Sequence, residues 1–432
     1  MLKLQFNQTW KHIDSFTPVI YFISSSVLSM SKPTNTALVR SRMVSLGGGV
    51  GTDQAAADAL VSNLVKYGYC YVKHPLFTAE RISRAKVMGR GLFTDIIPTK
   101  LSDRQREAIS TDIGFRGLYQ YVGASGKEDH IRCFSVGRPD VEDVASLRSG
   151  YFASAGWEPS EFMPKLSQPN PPEIFDSTDE DIKATAKELE MLYTDCHTVS
   201  MDALRHVAAA LGIKPSMDEV RPSPDGVVDY DYFTPYHSNK DNNLEIKFYP
   251  NVVKERKSLV DVKMVAGQEQ GAATTAPKVL RRKTASVTPT PQPAAPTQAA
   301  SVAAPEPSSP KVRLDTHKDL STVTLLFQDE LGGLEVLDSE VGDFVPVPVL
   351  QDCVLLNAGI FLEKWTDGVI DGTPHRVRTT HADAASRSRC SIVYFVFPNF
   401  DAEIDPFTTR GEFDPTDKSN PPFTAGDLMP PP

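Results

Sequence analysis

The chain has 432 residues, of which 40% are apolar and 23% charged, a globular composition long enough for one large domain or two to three smaller ones. A formal net charge of -10 gives no electrostatic reason for a polyanion partner, so no nucleic-acid partner is expected. Five widely spaced cysteines without a CxxC pair argue against a disulfide framework or a thiolate metal site and for a reducing compartment.

Lys3 and Lys11 precede an apolar stretch from Phe16 to Met30 that Pro18 and Ser24 to Ser26 interrupt. It is too short for a membrane span, and no later run is long and apolar enough for one. Residues 1–49 are therefore read as a flexible or targeting-like segment. The expected location is cytoplasmic, with organelle targeting or secretion as the alternative reading of that segment, and Met30 and Met43 as alternative starts.

A helical N-terminal region is expected over 50–235. Ala57, Leu60, Leu64 and Val65 form an apolar stripe that predicts a helix from Asp53 to Tyr67, ended by Gly68, with a strand over Tyr69–Val72 after it. A second helix is predicted over Ala79–Leu92. Gly114, Gly117, Gly123 and Gly126 suggest loops, with a short strand at Cys133–Val136. The longest predicted helix starts after Ser177, which forms a capping box with Glu180, and stops at Gly212. His197 and His206 lie nine apart on it, which is not the spacing of a ligand pair.

The period then changes from helix to strand. Leu244–Tyr249, Thr322–Phe327, Leu334–Leu337, Phe344–Val347, Cys353–Leu356 and Ser391–Phe397 read as short strands with Gly, Asp and Pro between them. The expected fold is an all-β core with flanking helices, a double-stranded β-helix or jelly roll over 236–400 behind the helical N-terminal region. Residues 267–310, rich in Ala, Pro, Thr, Ser and Gln, lack an apolar period and are expected to be a disordered insertion within that core. Residues 401–432 form a Pro-rich C-terminal tail.

The chemistry-bearing pattern is His317-Lys318-Asp319 with His375 downstream. Alternate residues of an extended segment point the same way, so His317 and Asp319 can reach one point, to which an adjacent strand would bring His375. Two imidazoles and a carboxylate suit iron(II) with open positions. An HxD pair with one later His also occurs by chance, and zinc accepts the same ligands. Arg389 and Ser391 open the last strong strand two residues apart. A guanidinium facing an apolar barrel with a hydroxyl beside it matches a small carboxylate ligand; a surface arginine snorkelling past the sheet is the plainer reading.

Taken together, Leu244 to Pro250, the HKD at 317–319, the run Leu325 to Leu334, Pro374-His375-Arg376-Val377 and Arg389-Cys390-Ser391-Ile392 resemble the 2-oxoglutarate and iron(II)-dependent dioxygenase superfamily, in its isopenicillin N synthase-like branch. Leu60 to His74 and Gly114-Phe115-Arg116-Gly117 are similar to the N-terminal part of that branch. The resemblance implies a non-haem iron oxygenase with His317, Asp319 and His375 as metal ligands. It also implies that Arg389, Ser391 and Tyr249 bind the distal carboxylate of 2-oxoglutarate. Lys247 stands where many relatives have Asn and is a further co-substrate candidate. The gap between Tyr249 and His317 is longer than usual.

The implied reaction consumes 2-oxoglutarate and O2, releases succinate and CO2, and hydroxylates, desaturates or cyclises a small organic molecule, in the setting of secondary metabolism. Ascorbate is a candidate supporting reductant. Substrate-contact candidates are Phe115, Arg116, Tyr119, Phe361 and Phe397, each equally readable as plain packing. A monomer without a membrane partner is expected. The alternatives are an ethylene-forming or ACC-oxidase-like oxidase, a zinc or manganese enzyme on the same fold, and a non-catalytic small-molecule-binding jelly-roll protein.

Overall fold

In a computed structural model of the protein, the described residues are 41–47, 53–110, 116–122, 130–139, 170–213, 232–238, 242–250, 312–338, 341–378, 387–399, 402–404 and 423–425. The expected insertion at 267–310 lies outside them. Arg42–Pro432 forms one unit by its internal contacts; of the other, Met1–Ser41, only Ser41 is described.

Helix α1, Gln54–Tyr67, begins where the Asp53 carboxylate accepts from the amides of Ala55 and Ala56, and ends at Gly68, whose φ of 75° suits the left-handed cap. Strand β1, Met43–Ser45, falls inside the segment expected to be flexible and pairs in parallel with β2, Tyr69–Lys73. Helix α2, Ala79–Gly91, runs into a π-helical stretch, Leu92–Lys100, and the short α3, Asp103–Ala108, follows. Gly117–Val122 is a strand, β3, where glycines had suggested only loops, and pairs with β4, His130–Val136.

After the short α4, Pro172–Phe175, the long helix α5 spans Glu180–Leu211. Its cap is Asp179, which accepts from Asp181 and Ile182, and not the expected Ser177 box. A carboxylate one residue from the first turn competes better than a hydroxyl for those amides and for the positive helix end. His206 is buried on α5, its Nδ1 2.7 Å from the Asp202 carbonyl.

The remaining strands are β5 Asn243–Tyr249, β6 Val312–His317, β7 Val323–Phe327, β8 Leu334–Asp338, β9 Asp343–Pro346, β10 Val354–Ala358, β11 His375–Arg378 and β12 Arg389–Phe395. Helix α6, Ile360–Trp365, lies between β10 and β11, and a strand pair of Glu403–Ile404 (β13) with Phe423–Thr424 (β14) lies in the C-terminal region.

The strands form an eight-stranded sheet, β1-β2-β10-β7-β12-β5-β4-β3, and a four-stranded sheet, β6-β11-β8-β9. Among the described residues neither sheet closes on itself, and no ladder joins one to the other. This corrects the expected all-β double-stranded β-helix or jelly roll: the architecture is a mixed helix and strand assembly with two open sheets. The alternation of short strands reports that a face is buried, but not whether a sheet's edges meet. The parallel β1–β2 pair was equally invisible to it.

Strand alternation divides the large sheet into two chemistries. Ile246, Leu325, Leu356, Ile392 and Tyr394 are buried in the main hydrophobic core together with Leu189, Val199 and Leu204 of α5. The opposite parity, including Lys247, Tyr249, Leu326, Asn357 and Ser391, lines a cavity that Leu334, Val336 and Val377 of the small sheet wall from the other side.

Candidate functional site

His317 ends β6 and His375 begins β11, and the two are direct cross-strand partners. Their ring centroids lie 4.3 Å apart. Asp319 follows His317 by two residues and is buried. Its Oδ1 lies 3.6 Å from His317 Nε2 and 3.5 Å from His375 Nε2. The three residues each present one ligating atom, all within 4.8 Å of one another.

The chain orients these groups from behind. His317 Nδ1 is 2.8 Å from the Asp315 carbonyl, and His375 Nδ1 is 2.9 Å from the Thr373 carbonyl. A carbonyl only accepts, so each Nδ1 carries the hydrogen and each Nε2 keeps its lone pair for the common point. Asp319 Oδ2 accepts from Asn357 Nδ2 at 3.0 Å, which leaves Oδ1 facing the imidazoles. Between the two ligands-to-be, Lys318 turns away to Glu363 at 2.5 Å, and Glu363 also accepts from the Gly372 amide at 2.8 Å.

Burial lowers the pKa of His317, and neighbouring His375 lowers it further, against the opposing pull of Asp319. For Asp319 burial acts upward, but the two imidazoles and the hydrogen bonds from Asn357 and Thr324 prevail and hold the carboxyl below its ordinary value. The neutral imidazole and the ionised carboxylate are the forms that bind a cation. Two nitrogens and one oxygen on one side of a point fit a divalent metal with a facial set of open positions, so the donor set suits iron(II).

Behind the triad on the large sheet stand Arg389 and Ser391. Both are buried, and Arg389 Nη1 donates to Ser391 Oγ at 3.0 Å. Arg389 Nε donates to the Gly332 carbonyl at 2.6 Å, and the guanidinium lies 4.8 Å from the Tyr249 ring centre. Tyr249 is the direct cross-strand partner of Arg389, and Lys247 that of Ser391. All four line the same cavity as the triad. Burial raises the Tyr249 pKa, with Arg389 and Lys247 acting against it, so the hydroxyl stays protonated and able to donate.

Lys247 is ion-paired with the buried Glu245 at 2.7 Å. Burial acts to lower its pKa, but Glu245 outweighs that and holds the ammonium above the ordinary lysine range. Tyr119 donates its hydroxyl to the other Glu245 oxygen. Arg116 is buried and donates to Asn243 Oδ1 at 3.0 Å. Phe361, on α6, and Phe397, beyond the end of β12, lie in the main hydrophobic core, whereas Phe395 lines the cavity. Phe115 lies outside the described residues. Asn357, Thr324, Glu245 and Phe395 were not singled out from sequence; the in-phase parity of 389, 391, 393 and 395 was the available signal for the last.

Residues 296–398 match the model of the 2OG-Fe(II) oxygenase superfamily. The matched segment contains the triad, Arg389 and Ser391, and begins after Tyr249. The chain is 23% identical over 359 residues to the 2-oxoglutarate-Fe(II) type oxidoreductase ppzD of Metarhizium rileyi, covering 82% of this chain and 79% of that one. It is 39% identical over 100 residues to the 2-oxoglutarate-dependent dioxygenase frbA of a Dothideomycetidae species, covering 22% of this chain and 30% of that one. In fold it is similar to a full-length Neurospora crassa protein solved in complex with alpha-KG and 5-formyluracil. The TM-score is 0.54 at 18% identity, with 87% of this chain and 88% of the other covered.

Proposed function

We propose that the chain is a non-haem iron, 2-oxoglutarate-dependent oxygenase of the 2OG-Fe(II) oxygenase superfamily, whose model matches residues 296–398, and that its residues divide the work as follows. His317, Asp319 and His375 hold the iron. Arg389, Ser391 and Tyr249 receive the distal carboxylate of 2-oxoglutarate, and Lys247 adds positive charge on the same wall. The convergence of two Nε2 lone pairs and one carboxylate oxygen within 4.8 Å carries this reading.

Bound iron(II) supplies the one-electron chemistry that joins O2 reduction and 2-oxoglutarate decarboxylation to oxidation of a C–H bond. The balance is one substrate C–H, one O2 and one 2-oxoglutarate giving one C–OH, one succinate and one CO2. The protein's own groups bind and orient. Arg389 offers a planar fork that a carboxylate can meet, with the Ser391 hydroxyl beside it. The apolar Leu326, Leu355, Val393 and Phe395 wall the cavity and exclude water from the reacting centre.

The substrate class we propose is a small organic molecule with an apolar body, which those side chains would contact. The 5-formyluracil bound to the Neurospora crassa protein, a small organic molecule held by a relative in fold, supports this class. Placement in the isopenicillin N synthase-like branch rests on the RxS pair at Arg389 and Ser391 and on Tyr249. Ascorbate is a candidate reductant for keeping the iron divalent. Among the described residues no helix is long and apolar enough to cross a membrane.

The test is succinate release from 2-oxoglutarate in air with iron(II), scanned over a panel of small molecules. The true substrate is expected to raise succinate release and yield an equivalent of oxidised product, and His375→Ala to abolish both. Metal binding without 2-oxoglutarate turnover under any condition would contradict the assignment.

A further inference from the structure

Asp329 is a buried carboxylate that the reaction does not use, 2% exposed, in the turn after β7. Its Oδ2 accepts from the Cys390 amide at 2.7 Å and pairs with Arg90 Nη2 of α2 at 3.0 Å. Cys390 is the residue between Arg389 and Ser391, so this bond holds the Arg389–Cys390 peptide, one of the two peptide units between the two side chains assigned to the carboxylate. Asp329 Oδ1 accepts from the Leu331 amide at 2.7 Å. That bond shapes the turn leading to Gly332, whose carbonyl receives Arg389 Nε. Gly332 and Gly333 both have positive φ, 62° and 89°, and a Cβ on Gly333 would lie 2.5 Å from the Arg378 carbonyl oxygen, so the turn has little freedom to relax.

Arg90 extends the brace. Its Nη1 donates to the Ser388 carbonyl at 3.1 Å and to Ser388 Oγ at 3.0 Å, on the residue just before Arg389. One carboxylate with its counter-ion thus holds the backbone on both sides of Arg389 and the carbonyl that aims its guanidinium. Burying such a charge is costly, and each of these contacts leads to that one side chain.

We propose that Asp329, with Arg90 as its counter-ion, is the positioning residue that sets the Arg389–Ser391 clamp and so gives the site its preference for a 2-oxo acid with a distal carboxylate. The proposal rests on the assignment of Arg389 and Ser391 to that carboxylate. Asp329 touches no substrate; it acts through the place it gives Arg389.

The test measures binding, with the protein loaded with Mn(II) in place of iron so that no turnover occurs. Calorimetric dissociation constants are taken for 2-oxoglutarate and for oxalate, which chelates the metal but has no distal carboxylate. In Asp329→Asn the 2-oxoglutarate constant is expected to rise about tenfold, from the loss of charge-assisted bonds. Oxalate and Mn(II) constants are expected to stay within about twofold. Arg90→Gln, which leaves both amide bonds to Asp329 in place, is expected to give a smaller loss of the same selectivity, and carries the test should Asp329→Asn not fold.

A purely structural brace would lower the melting temperature and leave the 2-oxoglutarate to oxalate ratio unchanged, and that result overturns the proposal. Arg389→Ala, run in parallel, separates the two levels. If it raises the ratio of the two dissociation constants and the Asp329 and Arg90 variants do not, the positioning role alone is wrong. If Arg389→Ala also leaves the ratio unchanged, the carboxylate assignment falls and the positioning role with it.

Discussion

Lys247→Met keeps the stem of the side chain and removes its ammonium, leaving the Glu245 carboxylate, 4% exposed, without the cation that stands 2.7 Å away. The Tyr119 hydroxyl remains as a donor to that carboxylate, so the charge is not wholly stranded. Breaking a buried ion pair from one side costs about 3 to 5 kcal/mol, and the retained hydroxyl places this case near the lower figure, about 3 kcal/mol. Glu245→Gln, which preserves shape and an acceptor for Tyr119, should cost about 2 kcal/mol, because the unpaired ammonium it leaves can lose its proton. The double variant removes both charges and should also cost only about 3 kcal/mol, so its cost falls about 2 kcal/mol short of the sum of the singles. Urea denaturation of the four proteins at pH 7.5 reads all three values, provided the m-values agree. The raised Lys247 pKa means that the pair's contribution is fully present below the ordinary lysine value of about 10.4 and is lost only as pH rises through the higher folded value, so neutral pH is a plateau. Additivity of the two single changes would refute the buried-pair reasoning.

Asn357→Ala removes the donor to Asp319 Oδ2 and should weaken metal binding about 10- to 100-fold, measured by competition with a coloured chelator, while the protein stays folded. His317 has a depressed pKa, so its neutral, ligating form persists below its ordinary value of about 6.5; metal affinity at that residue should therefore begin to fall only in more acidic buffer, as a pH series of the same competition assay would report. Gly333→Ala forces a side chain onto a φ of 89° and into the Arg378 carbonyl, and should destabilise the fold by more than about 1 kcal/mol in urea denaturation.

Much of the local structure was legible because single residues decide it. Helix α1, Gln54–Tyr67, lies within a residue of the expected Asp53–Tyr67, and Gly68 ends it as expected. The strands from Leu244 onward appear close to their expected limits, since alternation of buried and facing side chains is written into them. The long-range pairing was not legible. Nothing in the run from Gly117 to Val122 announces that it will be the edge strand beside His130–Val136, and its opening glycine pointed to a loop. The openness of both sheets was missed for the same reason, because edges are a property of pairing and not of any one strand.

The candidate site divides along the same line. His317, Asp319, His375, Arg389 and Ser391 could be picked out because the HxD and RxS spacings made them candidates and the resemblance to a known superfamily, across several motifs together, singled them out; the structure brings these five onto one cavity. The residues that orient them could not be. Asn357 reaches Asp319 only because β10 pairs with β7, and Asp329 reaches Cys390 only across the turn between β7 and β8. Phe397 shares the parity of Arg389 and Ser391, but β12 ends at Phe395 and the alternation does not carry past it.

The central claim is that His317, Asp319 and His375 hold one iron(II) on which 2-oxoglutarate then binds. Anaerobic titration of the protein with iron(II) and 2-oxoglutarate, followed by visible absorption, tests it most directly. A charge-transfer band that needs both additions and is missing from His317→Ala and His375→Ala is the predicted result. A band of undiminished intensity in either variant, or none in the unaltered protein with both bound, would contradict it.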